Sequence, residues 1–125
     1  MHYLAGTDSV HATAAICDYL EERATGDDTV TVIAVAPPDE PTARRDADEA
    51  LNVARVRLAA VPDVETERRS GTPADVLHAA ATDRGADEIV ITAHSDTPDA
   101  TREVDARTRE VLATADRPVV VVPMP

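Results

Sequence analysis

Three short apolar runs rich in β-branched residues constrain this chain more than anything else in it. They are Thr29 to Ala36 (TVTVIAVA), Glu88 to Ala93 (EIVITA) and Pro118 to Pro123 (PVVVVP). Each is short for a helix, is bounded by proline, glycine or charge, and reads as a strand, TVTVIAVA as a buried one. Such strands need helices above and below them, and the intervening segments supply the pattern. After a short strand at about His2 to Gly6, Asp8 or Ser9 can cap a helix carrying Ala12, Ala15, Ile16, Tyr19 and Leu20 at helical spacing. A looser stripe (Ala50, Leu51, Ala54, Val56, Leu58) marks a second helix from about Thr42. Val61 to Arg69, interrupted by Pro62, Glu65, Glu67 and Arg68, is a polar edge strand.

Gly71-Thr72-Pro73 opens the third helix, with Thr72 as cap, proline in the first turn and Asp75 at the positive end of the dipole. Val76, Leu77, Ala80 and Ala81 form its inner face, and Gly85 ends it. Thr97-Pro98-Asp99 repeats that start for a last helix carrying Val104, Thr108, Val111, Leu112 and Ala115. The order is β-α-β-α-β-α-β-α-β, an α/β chain whose strands run parallel through right-handed crossovers. A doubly wound sheet takes ligands past the carboxyl ends of its strands. That directs attention to Gly6-Thr7-Asp8-Ser9, to Ala34 to Pro37, and to Thr92-Ala93-His94-Ser95.

At 125 residues the chain is one domain, 1–125. It carries 24 acidic and 12 basic residues, a net charge of −12, and every basic residue is arginine. That balance repels phosphate backbones and anionic bilayers, so neither nucleic acid nor a membrane is expected as a partner. No apolar run reaches the ~20 residues of a membrane span, and the N-terminus does not read as a signal peptide, so the expected location is cytoplasmic. The lone Cys17 can form no internal disulfide and, one position from an apolar helix face, is expected as a small buried or half-buried thiol.

Several segments in sequence are similar to the universal stress protein family. Arg69-Ser70-Gly71-Thr72-Pro73-Ala74 resembles the family's Gly-x-Pro entry to its third helix. Ala86-Asp87-Glu88-Ile89-Val90-Ile91 resembles its fourth strand, and Val111-Leu112 through Arg117-Pro118 and Val119 to Val122 its closing helix and strand. The resemblance implies a Rossmann-like, five-stranded parallel sheet of order 3-2-1-4-5 with helices on both faces, and often a homodimer. Family members that bind ATP carry Gly-x-x-Gly after the fourth strand and, about nine residues on, Gly-Ser or Gly-Thr. Glycine lets amide groups converge on a phosphate where a β-carbon would clash. Here those positions fall at Thr92 and Ser95 and near Asp105-Ala106, and no glycine follows Gly85. The stretch instead sets Asp96, Asp99, Glu103 and Asp105 against Arg102 and Arg107. The family's acidic residue at the end of the first strand aligns nearest Thr7, with Asp8 displaced by one.

The small-ligand cleft is therefore assigned to Gly6, Thr7, Asp8, Ala36, Thr92, His94 and Ser95, each of which also has a plain role in a loop or helix cap. His2, His11, His78 and His94 show no ligand spacing, so no metal is expected. There is no Gly-x-Ser-x-Gly elbow and no catalytic residue is assigned, so the chain is not expected to be an enzyme. Thr42-Ala43-Arg44-Arg45 with Arg55, Arg57, Arg68 and Arg69 is either a phosphate patch or, given Asp39, Glu40, Asp46, Asp48 and Glu49, a salt-bridged surface.

The expected function is a non-enzymatic, stress-associated binding or regulatory module with no ATP cofactor. The alternative is a degenerate adenine-nucleotide protein that binds AMP, cyclic AMP or ATP. A possible small polar ligand is one partner. A second copy of the chain, paired through Val119, Val120, Val121 and Val122, is the other, because an uncharged apolar edge invites a strand. The acidic excess fits a halophilic cytoplasm, where at ~1 M salt the Debye length falls to about 3 Å and self-repulsion is screened. The native circular dichroism signal should accordingly be lost as KCl is removed; full stability in dilute buffer would contradict a halophilic origin.

Overall fold

The computed structural model describes residues 1–93 and 104–124. Strands and helices alternate along them: β1 (His2–Thr7), α1 (Val10–Arg23), β2 (Thr29–Val35), α2 (Pro41–Arg57), β3 (Asp63–Arg69), α3 (Pro73–Arg84), β4 (Glu88–Thr92), α4 (Ala106–Ala113) and β5 (Val119–Val122). The strands form one parallel sheet ordered β3-β2-β1-β4-β5. This is the expected α/β architecture, with the polar β3 and the all-valine β5 at the two edges.

Successive residues of a strand face opposite sides, so the central strands feed two cores. Tyr3, Ala5, Val30, Val32 and Ala34 pack with Ile16, Leu20, Leu51 and Leu58 of the α1–α2 side. Leu4, Ile33, Ile89 and Ile91 pack with Leu77, Ala80, Ala81 and Val111 of the α3–α4 side. Small residues carry much of the helix contribution: Ala12, Ala15, Ala47, Ala50, Ala54, Ala74, Ala80 and Ala81 are all buried. A chain without phenylalanine or tryptophan thus fills its core with leucine, isoleucine and valine packed among helix alanines.

Local signals set the helix ends. The Ser9 hydroxyl accepts from the Ala12 amide at 3.1 Å, which selects Ser9 over Asp8 as the cap of α1. Pro73 lies in the first turn of α3, and Gly85 ends it in the left-handed conformation at φ 64°. Thr72 takes the cap position with no side-chain hydrogen bond, so proline rather than a hydroxyl starts that helix. Val56 is 76% exposed and does not belong to the inner stripe of α2. In α4, Thr108 and Val111 face inward, whereas Leu112 is exposed and Val104 precedes the helix, also exposed. The expected start at Thr97-Pro98-Asp99 lies outside the described residues.

Arg117 ties the last strand to the body of the protein. Its Nη1 donates to the carbonyls of Ala81 at 2.9 Å and Ala86 at 2.7 Å, while its Nε donates to Asp116 at 2.9 Å. A cation at the end of α3 also meets the negative end of the helix dipole. Asp116 holds the Arg117 guanidinium above its ordinary pKa, so the charge is constant at any working pH. Arg117→Ala should lower the unfolding free energy by about 1–3 kcal/mol, because the Ala86 carbonyl loses its charged donor. Arg117→Lys should recover less than half, since one ammonium nitrogen cannot replace Nη1 on the two carbonyls and also keep the Nε bond to Asp116 and the Nη2 bond to the Thr82 hydroxyl. An unchanged denaturant midpoint for Arg117→Ala would show the clamp to be idle.

Candidate functional site

A cleft opens at the carboxyl ends of β1 and β4, between the first turns of α3 and α4. Its apolar wall is built from Val35, Pro73, Leu77, Ile91 and Val111, and its polar rim from Thr7, Asp8, Thr92, Asp105, Arg107 and Thr108. Gly6 forms part of the floor. A β-carbon there would stand 2.6 Å from Leu77 Cδ1, so a side chain at this position would require the Leu77 side chain to move.

Thr7 is buried and its hydroxyl turns back toward α1. It lies 2.9 Å from the Thr13 hydroxyl and 3.1 Å from the Ser9 carbonyl, which the Thr13 hydroxyl also reaches at 2.8 Å. The β1–α1 turn is thereby closed on itself. Asp8, one residue on, faces across the rim, and its Oδ2 is 3.2 Å from Arg107 Nη1. On the opposite side Asp105 caps α4, its Oδ1 accepting from the Thr108 amide at 2.9 Å. The Asp105 amide donates to the Ala93 carbonyl at 3.0 Å, and the Thr108 hydroxyl to the Thr92 carbonyl at 2.8 Å, so the start of α4 is pinned to the end of β4.

Of the residues assigned from sequence, Gly6, Thr7, Asp8 and Thr92 line this cleft. Ala36 does not. It is buried in the α1–α2 core, with its amide on the Arg69 carbonyl at 3.0 Å, because the two-residue period that sends Val35 into the cleft sends Ala36 to the other face. His94 and Ser95 lie outside the described residues. Sequence reading missed Pro73, Leu77, Ile91, Asp105, Arg107, Thr108 and Val111 as cleft residues. The Asp105-x-x-Thr108 spacing is a helix-cap signal that can be read from sequence. No local pattern pairs Arg107 with a residue at the other end of the chain.

The remaining candidates settle into structural roles. Cys17 is fully buried, and burial pushes its thiol up to about 11 despite the nearby Arg57. His2 Nε2 is 2.8 Å from the Thr31 hydroxyl, and His78 Nε2 is 2.9 Å from the Thr114 hydroxyl and 3.2 Å from the Val111 carbonyl. Among the described residues, no three His, Cys, Asp or Glu side chains converge as a metal site. Three of the six arginines of the patch are salt-bridged among the described residues. Arg57 pairs with Asp18 and Glu21, Arg68 with Asp48, and Arg69 with Glu67. Arg55 bonds Asn52 and Thr66 instead. Among the described residues, no helix is long and apolar enough to cross a membrane.

A parallel α/β sheet with a cleft past its strand ends is the frame of many small-ligand proteins. The comparison with known families is narrower: residues 1–123 match the universal stress protein family, and the chain belongs to it. No curated protein matches its sequence. Solved structures match its fold at low identity. A universal stress protein in complex with cAMP superposes with a TM-score of 0.74 at 21% identity, over 100% of this chain and 98% of that one. One from Archaeoglobus fulgidus in complex with dAMP gives 0.68 at 18%, over 98% and 97%. A family protein from Arabidopsis thaliana with AMP bound gives 0.73 at 13%, over 100% and 92%.

Proposed function

We propose that this universal stress protein is a non-enzymatic, stress-associated binding or regulatory module that holds a small polar ligand in the β1–α4 cleft and does not take ATP. One observation carries the reading: Arg107, the cation on the cleft rim among the described residues, is already held by Asp8 at 3.2 Å. The lack of any glycine after Gly85 supports it, since a triphosphate needs converging backbone amides. The acidic composition supports a cytoplasm rich in salt as its setting. A second reading, adenine-nucleotide binding without a phosphate cradle, draws on the solved relatives that carry cAMP, dAMP and AMP.

We further propose a homodimer through β5. The carbonyls of Pro118 and Val122 accept from the Ile89 and Ala93 amides of the β4 side. By strand alternation, the N–H and C=O groups of Val119 and Val121 face away from β4. Val119, Val120 and Val121 are only half-buried in the single chain. A second β5, antiparallel about a two-fold axis, would pair those groups and cover those side chains.

Two measurements test these proposals. Titration calorimetry in high KCl should give no saturable heat with ATP; micromolar ATP binding would overturn the leading reading, and AMP binding without ATP binding would favour the second. Light scattering behind a sizing column, also in high KCl, should give a dimer mass, and Val121→Pro should shift it to monomer while leaving the fold intact. A monomer mass for the unaltered protein at micromolar concentration would contradict the dimer.

A further inference from the structure

Among the described residues that line the cleft, two groups have the chemistry to receive a phosphate. One is the Arg107 guanidinium, whose planar fork suits carboxylate and phosphate alike. The other is the Thr108 amide in the first turn of α4, at the positive end of that helix's dipole. Each already holds one of the protein's own carboxylates. Asp8 Oδ2 is on Arg107 Nη1 at 3.2 Å, and Asp105 Oδ1 is on the Thr108 amide at 2.9 Å. The two acids come from opposite sides of the cleft, one following β1 and the other preceding α4, so their coincidence on its rim is a product of the fold rather than of local sequence.

From this arrangement we infer that Asp8 and Asp105 are specificity-determining residues. They act as built-in anions that occupy the cleft's phosphate-type donors, so that the cleft excludes phosphate esters and accepts an uncharged polar ligand. The inference deepens, and as to the ligand rests on, the reading of this cleft as a small-ligand site. A phosphate entering the rim would have to displace Asp8 from Arg107 and would then face two carboxylates for one guanidinium. That repulsion grows with ligand charge, so the penalty is larger for a triphosphate than for a monophosphate. An uncharged ligand leaves both pairs intact and uses the apolar wall of Val35, Leu77, Ile91 and Val111.

Inorganic pyrophosphate and adenosine separate the two levels of the argument. Affinities are measured by calorimetry for the unaltered protein, for Asp8→Asn, and for Asp8→Asn with Asp105→Ser, at the lowest KCl at which circular dichroism shows all three folded. Asparagine preserves the shape of Asp8, and serine can still cap α4. Pyrophosphate should bind the doubly substituted protein at least tenfold more tightly than the unaltered one, with Asp8→Asn between them. Adding Arg107→Gln to the double variant should abolish the gain. Equal pyrophosphate affinity in all three proteins, whether measurable or absent, would overturn the inference, and Asp8→Asn alone decides it if the double variant does not fold. Adenosine reports on the ligand site itself. Binding to the unaltered protein at least tenfold tighter than AMP supports the exclusion of phosphate, and AMP binding tighter than adenosine overturns it. If the pyrophosphate gain occurs and adenosine binds none of the proteins, the masking by Asp8 and Asp105 stands and the adenosine-like ligand falls.

Discussion

The three central parallel strands leave no face for water, and nearly everything in this protein follows from covering β1, β2 and β4 on both sides. Parallel pairing requires a crossover after each strand, and helices in those crossovers supply the two cores. The same connectivity sends every βα turn to the carboxyl ends of the strands, which is why Asp8, after β1, meets Arg107, near the start of α4. At that end Gly6 leaves room for the Leu77 side chain. With a side chain there, Leu77 would be driven toward the cleft or α3 away from the sheet.

Much of this was legible in the sequence because its signals are local. TVTVIAVA and EIVITA can only be buried strands, and Pro73 and Gly85 bracket α3 whatever surrounds them. The errors came where a long-range contact decides. Val56 fits a helical stripe on paper, yet the face of α2 that meets the sheet is set by Ala47, Leu51, Ala54 and Leu58. Ala36 sits at the right end of β2, but the pleat turns it from the cleft. Arg117 looked like part of a family motif and is a clamp whose acceptors lie at the end of α3 and just beyond it. Its partners, like those of Arg107, are invisible to any pattern along the chain.

The arginines explain how so acidic a chain holds its outer elements together. Arg57 joins α2 to Asp18 and Glu21 of α1, Arg68 joins β3 to Asp48 of α2, and Arg84 joins α3 to Glu65 and Glu67 of β3. Arg57 forks across Glu21 with bonds of 2.9 and 3.2 Å, a geometry that lysine cannot copy. Each pair is solvent-accessible and worth about 0–1 kcal/mol, so they orient neighbouring elements more than they stabilise the core. Glu67, held by Arg69 and then Arg84, keeps its carboxyl below the usual range. Its contribution is present above the unfolded pKa and is lost as pH falls through the lower folded value.

The central claim is that the cleft's cation is reserved for the protein's own carboxylate. A crystal structure grown from high KCl with excess ATP tests it most directly. The Asp8–Arg107 pair should remain closed, with no triphosphate between β1 and α4. A triphosphate seated on Arg107 and the first turn of α4, with Asp8 displaced, would contradict the account.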